Sequence, residues 1–171
     1  CMVFRSAEEP WQQTNPDIFY DVFDDALSVT IKSPEERPVI VALDEELPVN
    51  WIATMADSSF LYVDNQRVFA DTGAVFEYTV PIEETGKKWI KAVAVSGTQM
   101  VADSFYYFVR TAPVEEKVPA GVRDGINYID DNTVILSLYA PQKEYAFAIG
   151  DFSDWEVGDD NYMKVDRDAD R

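Results

Sequence analysis

The residues best equipped for chemistry lie together in Ile149-Gly150-Asp151-Phe152-Ser153-Asp154-Trp155, which brings two carboxylates, a hydroxyl and two aromatic rings into one short stretch. An indole face stacks on the C–H surface of a sugar ring and buries a large area at low entropic cost, so Trp155 is a candidate carbohydrate contact. Asp151 and Asp154 could serve as ligands. Beside a glycine, however, Asp and Ser are first of all turn formers, because their side chains hydrogen-bond their own backbone and glycine accepts positive φ. The expectation is a turn shaped by Asp151 and Asp154, with Phe152 in the core and Trp155 capping the core or packing against another domain. The competing reading has the turn presenting Trp155 to a sugar.

Other chemistry is sparse. There is no histidine, and Cys1 is the single cysteine. The commonest acid–base side chain, imidazole metal ligands and internal disulfides are therefore unavailable. Asp166, Asp168 and Asp170 alternate like the start of a calcium loop, but such a loop needs glycine where Arg171 stands and a bidentate glutamate further on. A solvated hairpin tip is expected instead, and Glu83-Glu84 and Glu115-Glu116 read as solvated charge runs. No catalytic residue, metal site or cofactor is assigned. Phe105-Tyr106-Tyr107-Phe108 should alternate, half in the core and half on the other sheet face, where a sugar platform is a secondary reading. Trp51 and Trp89 are expected in the core or at a domain contact.

Thirty-two acidic against fourteen basic residues give a net charge of -18. That field repels nucleic-acid phosphates and anionic membrane surfaces, so no nucleic-acid partner is expected. With 47% hydrophobic and 13% aromatic residues the composition is that of a folded chain. No run approaches the roughly 20 apolar residues that span a bilayer. Cys1 has two readings: the acylated first residue of a mature bacterial lipoprotein, or a fragment boundary. If acylated, Cys1 would attach the protein to a membrane face, at the cell surface or in the periplasm.

The elements that must position these residues are short β-prone runs. Residues 1–16 carry no clear period and read as a leader or tether, with Trp11 docking on the domain that follows or exposed for binding. Over residues 17–112 the runs are Ile18-Phe19-Tyr20, 27–32, 39–43, 60–63 with 67–69, 75–80, 89–95 and 101–109, separated by turn residues. Ile90, Ala92 and Ala94 alternate with Trp89, Lys91, Val93 and Val95, and Phe76, Tyr78 and Val80 alternate with Val75, Glu77 and Thr79. This period-two pattern predicts an all-β chain opening with an immunoglobulin-like β-sandwich. Residues 44–59 read as a loop or one helical turn. Residues 113–121, with Pro113 and Pro119, read as a linker. Residues 122–171 supply strands at 125–128, 133–139 and 145–149, too few to close a sandwich, and are expected to be the first half of a second, early-set-type β-sandwich.

The order of motifs carries a resemblance. "VPAGVRDGINYIDDNTVILSLYAPQKEYAFAIGDFSDWEVGDDNYMKV", residues 118–165, resembles the opening of the early-set domain in the N-terminal accessory region of bacterial α-amylase-type glycoside hydrolases. There, a "PAG-x-x-DGINY" lead-in precedes a strand ending in "YAP", a "GDF-x-x-W" turn and a strand near "MK". Family-48 carbohydrate-binding modules share the turn, and in glycogen-binding relatives its tryptophan touches sugar. The sandwich at 17–112 is similar, more loosely, to one often placed ahead. The resemblance implies a secreted or surface-attached α-glucan-degrading enzyme whose following catalytic barrel carries the aspartate nucleophile and glutamate acid. This region would then space and orient that domain, with weak binding of α-glucan (starch- or glycogen-like) through Trp155. The alternative is a stand-alone surface lipoprotein acting as a glycan-binding or protein-interaction module. Coding sequence beyond Arg171 distinguishes the two: barrel strands with carboxylates for the first, a stop codon for the second.

Overall fold

A computed structural model describes residues 26–168. Cys1, Trp11, the expected strand Ile18-Phe19-Tyr20 and Asp170 lie outside the described residues. The strands are β1 (Ser28–Ser33), β2 (Val39–Ala42), β3 (Glu46–Thr54), β4 (Ser58–Val63), β5 (Gln66–Asp71), β6 (Val75–Pro81), β7 (Gly86–Ser96), β8 (Gln99–Arg110), β9 (Gly125–Asp130) and β10 (Thr133–Ser137). The protein is all-β. A three-stranded sheet in the order β1-β3-β6 packs on a five-stranded sheet in the order β2-β8-β7-β4-β5. All pairings are antiparallel except that β2 runs parallel to β8.

Alternation decides which side chains fill the sandwich. Ile90, Ala92 and Ala94 of β7, Leu61 of β4 and Val49 of β3 have no exposed surface. Trp51 of β3 lies at the centre, 0% exposed, stacked on Phe76 at 5.3 Å and met edge-on by Phe69 at 5.3 Å. Its Nε1–H donates to Ser59 Oγ on the opposite sheet (2.8 Å), and the Ser59 hydroxyl donates to the Val93 carbonyl (3.0 Å). Buried polar atoms need partners, and this relay satisfies two of them while joining the sheets.

Residues 44–59 correct the sequence reading: most of them form β3, with Leu47, Val49, Trp51 and Ala53 buried in alternation. Pro48 obscures the strand. It is tolerated because β1 pairs only from Asn50 onward, so at Pro48 the strand is flanked by β6 alone and needs no donor on its other side. Asp44, in the left-handed region at φ 66°, turns the chain from β2 into β3.

Two groups on the inner side of β7 and β8 make stability sensitive to alkali. The Glu84 carboxylate raises the Lys88 ammonium above its ordinary 10.5, with Asp64 helping and partial burial opposing. Burial pushes the Tyr107 phenol above its ordinary 10.0, with Asp64 adding to the effect and Lys88 opposing it. Both folded-state values exceed the unfolded ones, so the unfolded chain releases these protons first, and stability present below about pH 10 falls as pH rises further. Thermal melts between about pH 9 and 11.5 should show a falling midpoint, flatter in Tyr107→Phe; a midpoint indifferent to pH in that range would contradict the assignment.

After β8 the chain does not run free. Segment 113–118 lies parallel to Val165: Val165 N–H donates to the Val114 carbonyl (2.9 Å) and Glu116 N–H to the Val165 carbonyl (3.0 Å). Val118 N–H donates to Asp166 Oδ2 (2.9 Å), and Arg167 pairs with Glu115 and Lys164 with Glu116. The Glu115-Glu116 run is therefore ion-paired as well as solvated. Between the two limbs, β9 and β10 form a two-stranded hairpin. Asn127 fixes its base, accepting from Arg123 N–H (2.9 Å) and donating to the Arg123 and Ile135 carbonyls.

The expected strand at 145–149 is not regular. A single antiparallel bridge joins Phe147 to Tyr162, with Ala148 N–H donating to the Asn161 carbonyl and Met163 N–H to the Ala146 carbonyl. Its apolar run is used in ring contacts instead of a ladder. Phe147 stacks on Tyr162 (4.6 Å, 15°) and meets Phe108 edge-on at 5.6 Å. Phe108 points to the outer face of the five-stranded sheet yet is only 2% exposed.

Candidate functional site

The Gly150–Trp155 turn is held by its own backbone. Ser153 N–H and Trp155 N–H both donate to the Gly150 carbonyl (2.9 and 3.0 Å), Glu156 N–H donates to the Ser153 carbonyl, and the Ser153 hydroxyl exchanges hydrogen bonds with Gly150. Asp151–Ser153 make one 3-10 turn. Asp154 and Trp155 are then both left-handed, at φ 50° and 59°. For a bulky residue such as Trp155 that conformation is an outlier which the surroundings must impose, and outliers of this kind cluster at ligand sites.

The turn delivers Trp155 to solvent with 66% of its surface exposed. The indole is nevertheless fixed: Nε1–H donates to Asp151 Oδ1 at 2.8 Å. Asp151 thus orients the indole as well as shaping the turn, and Asp154 supplies a left-handed corner. Phe152 corrects the expectation of a core residue. It is 74% exposed, its ring folded over Gly150 so closely that a Cβ there would lie 2.8 Å from the ring. The reason is local: the 3-10 turn carries residue 152 to the outside, and Val157, which is buried, plants the chain after it.

A second pair of rings lies on the outer face of the five-stranded sheet. Trp89 of β7 and Tyr106 of β8 are directly opposite in the register, with ring centroids 5.9 Å apart. Trp89, expected in the core or at a domain contact, is 48% exposed. The Lys87 ammonium lies 4.5 Å from the Tyr106 ring centre and 5.5 Å from that of Trp89, and pairs with Glu156 at 2.6 Å. Glu156 directly follows Trp155, so this ion pair ties the tryptophan turn to the sheet carrying Trp89 and Tyr106. The sequence reading missed that link, although the alternation of Trp89 with buried Ile90, Ala92 and Ala94 already pointed its side chain outward.

A cleft of about 750 Å³ lies between β10 and the segment 144–165. Its lining is mixed: aliphatic side chains such as Val134 and Leu136 share it with the rings of Tyr145 and Tyr162 and with charged groups such as Lys143 and Asp160. Among the described residues no group of three or more His, Cys, Asp or Glu is arranged to hold a metal ion, and the Asp166 carboxylate accepts from Val118 N–H and Asp168 N–H.

No protein-family profile and no curated protein matches the chain. Among solved structures it is similar to fibronectin(III)-like modules of Clostridium thermocellum, at 22% identity and a TM-score of 0.43, over 49% of this chain and 98% of that one. It is also similar to the β-glucuronidase of Bacteroides uniformis, at 15% identity and a TM-score of 0.41, over 74% of this chain and 17% of that one. The β-glucuronidase of Parabacteroides merdae aligns at 13% identity and a TM-score of 0.43, over 61% of this chain and 13% of that one. The chain thus spans less than a fifth of either glucuronidase, and no activity is transferred from likenesses this distant.

Proposed function

We propose that this chain is a non-catalytic β-region of a glycan-degrading enzyme, which spaces and orients a catalytic domain and contacts α-glucan weakly through Trp155. The observation that carries the reading is the exposed indole of Trp155, fixed by Asp151 in an imposed left-handed backbone. A ring held face-out in advance loses little entropy on stacking against a sugar. The orienting role is supported by the way segment 144–165 docks on the sandwich through Phe147, Phe108 and the Lys87–Glu156 pair. Among the described residues β9 and β10 pair only with each other, and edges of that kind accept a further strand. An extracytoplasmic location, with Cys1 acylated, belongs to the same proposal, and mass spectrometry of the native N-terminus decides the acylation.

Affinity electrophoresis in glycogen, amylose and pullulan gels tests the sugar contact. Retardation is expected, and Trp155→Ala should weaken it by about tenfold, the effect of one lost stacking contact. Asp151→Asn, which keeps a carbonyl acceptor for the indole N–H, should retain most of it. Unchanged mobility of the parent chain, or retardation unaffected by Trp155→Ala, would sink the reading.

A further inference from the structure

The outer face of the five-stranded sheet is unlike the rest of this acidic molecule. Its outward positions are Phe60 and Tyr62 on β4, alternate residues from Lys87 to Val95 on β7, and alternate residues from Met100 to Arg110 on β8. None is an Asp or Glu, in a chain that has thirty-two of them. The face instead carries Lys87, Lys91 and Arg110, and Arg67 joins it from β5, opposite Tyr62. Lys87 and Arg110 are paired to Glu156 and Glu144 of the following segment. Among the described residues, Arg67 and Lys91 lie within ion-pair distance of no carboxylate, and each is set near a ring instead: Arg67 is 5.6 Å from the centre of Phe60, and Lys91 is 5.4 Å from that of Tyr62. The nearby Asp64 is engaged by Trp89 N–H (2.8 Å) and Lys88.

We propose that this face binds a carboxylate-bearing polysaccharide, with Trp89 and Tyr106 stacking on sugar rings and Arg67 and Lys91 pairing with uronate carboxylates. Charge complementarity selects the sign of the ligand: two cations without carboxylate partners among the described residues, on strands whose outward positions carry no acid, offer an anion local attraction inside a repulsive overall field. The same field disfavours a ligand as densely charged as nucleic acid, whose affinity comes mainly from phosphate neutralisation. The rings select a sugar over an acidic peptide, because flat aromatic faces match C–H surfaces of pyranose rings. Along β7, positions two apart are separated by about 6.6 Å, so Trp89 and Lys91 can engage one extended chain together. The proposal rests on the glycan reading for the class of ligand, but its residues are separate from Trp155.

The test is affinity electrophoresis of the 171-residue chain in gels containing polygalacturonate, alginate, amylose, poly-L-glutamate or oligo-dT. Retardation is expected in polygalacturonate or alginate, weakened about tenfold in Arg67→Ala/Lys91→Ala, and reduced in Trp89→Ala. It should diminish at about 0.5 M salt, where exposed charge pairs are screened. Arg67→Lys/Lys91→Arg, which keeps both charges, should restore it, separating loss of charge from loss of fold. Trp155→Ala should leave this retardation unchanged while weakening any in amylose, so the two sites fail independently. No retardation in either acidic polysaccharide, retardation indifferent to Arg67 and Lys91, or equal or stronger retardation by poly-L-glutamate or oligo-dT would overturn the proposal.

Discussion

Trp51→Ala should cost about 4 kcal/mol, a large share of the 5–15 kcal/mol that typically holds a domain folded. Three losses combine. The stack on Phe76 and the edge contact with Phe69 disappear, a cavity the size of an indole opens where the two sheets meet, and Ser59 loses the donor that its oxygen accepts. Urea denaturation followed by far-ultraviolet circular dichroism would read the change as a lower midpoint. Two milder variants apportion it. Trp51→Phe keeps most of the stack and should cost less, whereas Ser59→Ala leaves the indole N–H without an acceptor in a site with no water access, at about 1–3 kcal/mol. A Trp51→Ala midpoint close to that of the parent would mean that the indole does not join the sheets as described.

Phe147→Ala should act locally, at about 2–3 kcal/mol, because the ring is half-buried and serves one seam. It covers Phe108, stacks on Tyr162 and meets Tyr145, so its removal uncovers an apolar ring on the sheet and releases segment 144–165 from it. Hydrogen exchange separates local from global effects. Protection of the Ala148 and Met163 amides, whose acceptors lie across the Phe147–Tyr162 bridge, should fall, while that of Ala92 and Ala94 in β7 should hold. A uniform fall across both groups would show that the seam belongs to the core of the sandwich.

Where one face is buried and the other wet, the sequence announced its strands. The alternations at 75–80 and 89–95 placed β6 and β7 correctly, because period-two burial is written directly into residue type. β3 was illegible because Asp44-Glu45-Glu46 and Pro48 are turn and breaker residues. They are permitted only by the late start of β1 pairing, a fact of topology that no local pattern carries. The run 145–149 misled in the opposite direction: alternating aromatics suited a strand, but they are spent on ring contacts with Phe108 and Tyr162. At the candidate site, the turn-forming roles of Asp151 and Asp154 were readable from residue type. The exposure of Phe152 was not, since residue type does not say that a 3-10 turn carries it outward; nor was the link through Lys87 and Glu156, which depends on where residues some seventy positions apart come to rest. The acid-free sheet face is legible once the register is known, because only the register says which of the many charges share a side.

The parallel pairing of segment 113–118 with Val165 also has a mechanical meaning. Tension applied through β8 on one side and beyond Asp166 on the other would pull the two limbs along their shared direction, in shear. The Val114, Glu116 and Val118 hydrogen bonds and the two flanking ion pairs would then bear it together instead of opening one after another. Everything between the limbs, including the β9–β10 hairpin and the Trp155 turn, is a side branch closed at its base. Such tension would therefore bypass the tryptophan turn and leave its geometry intact.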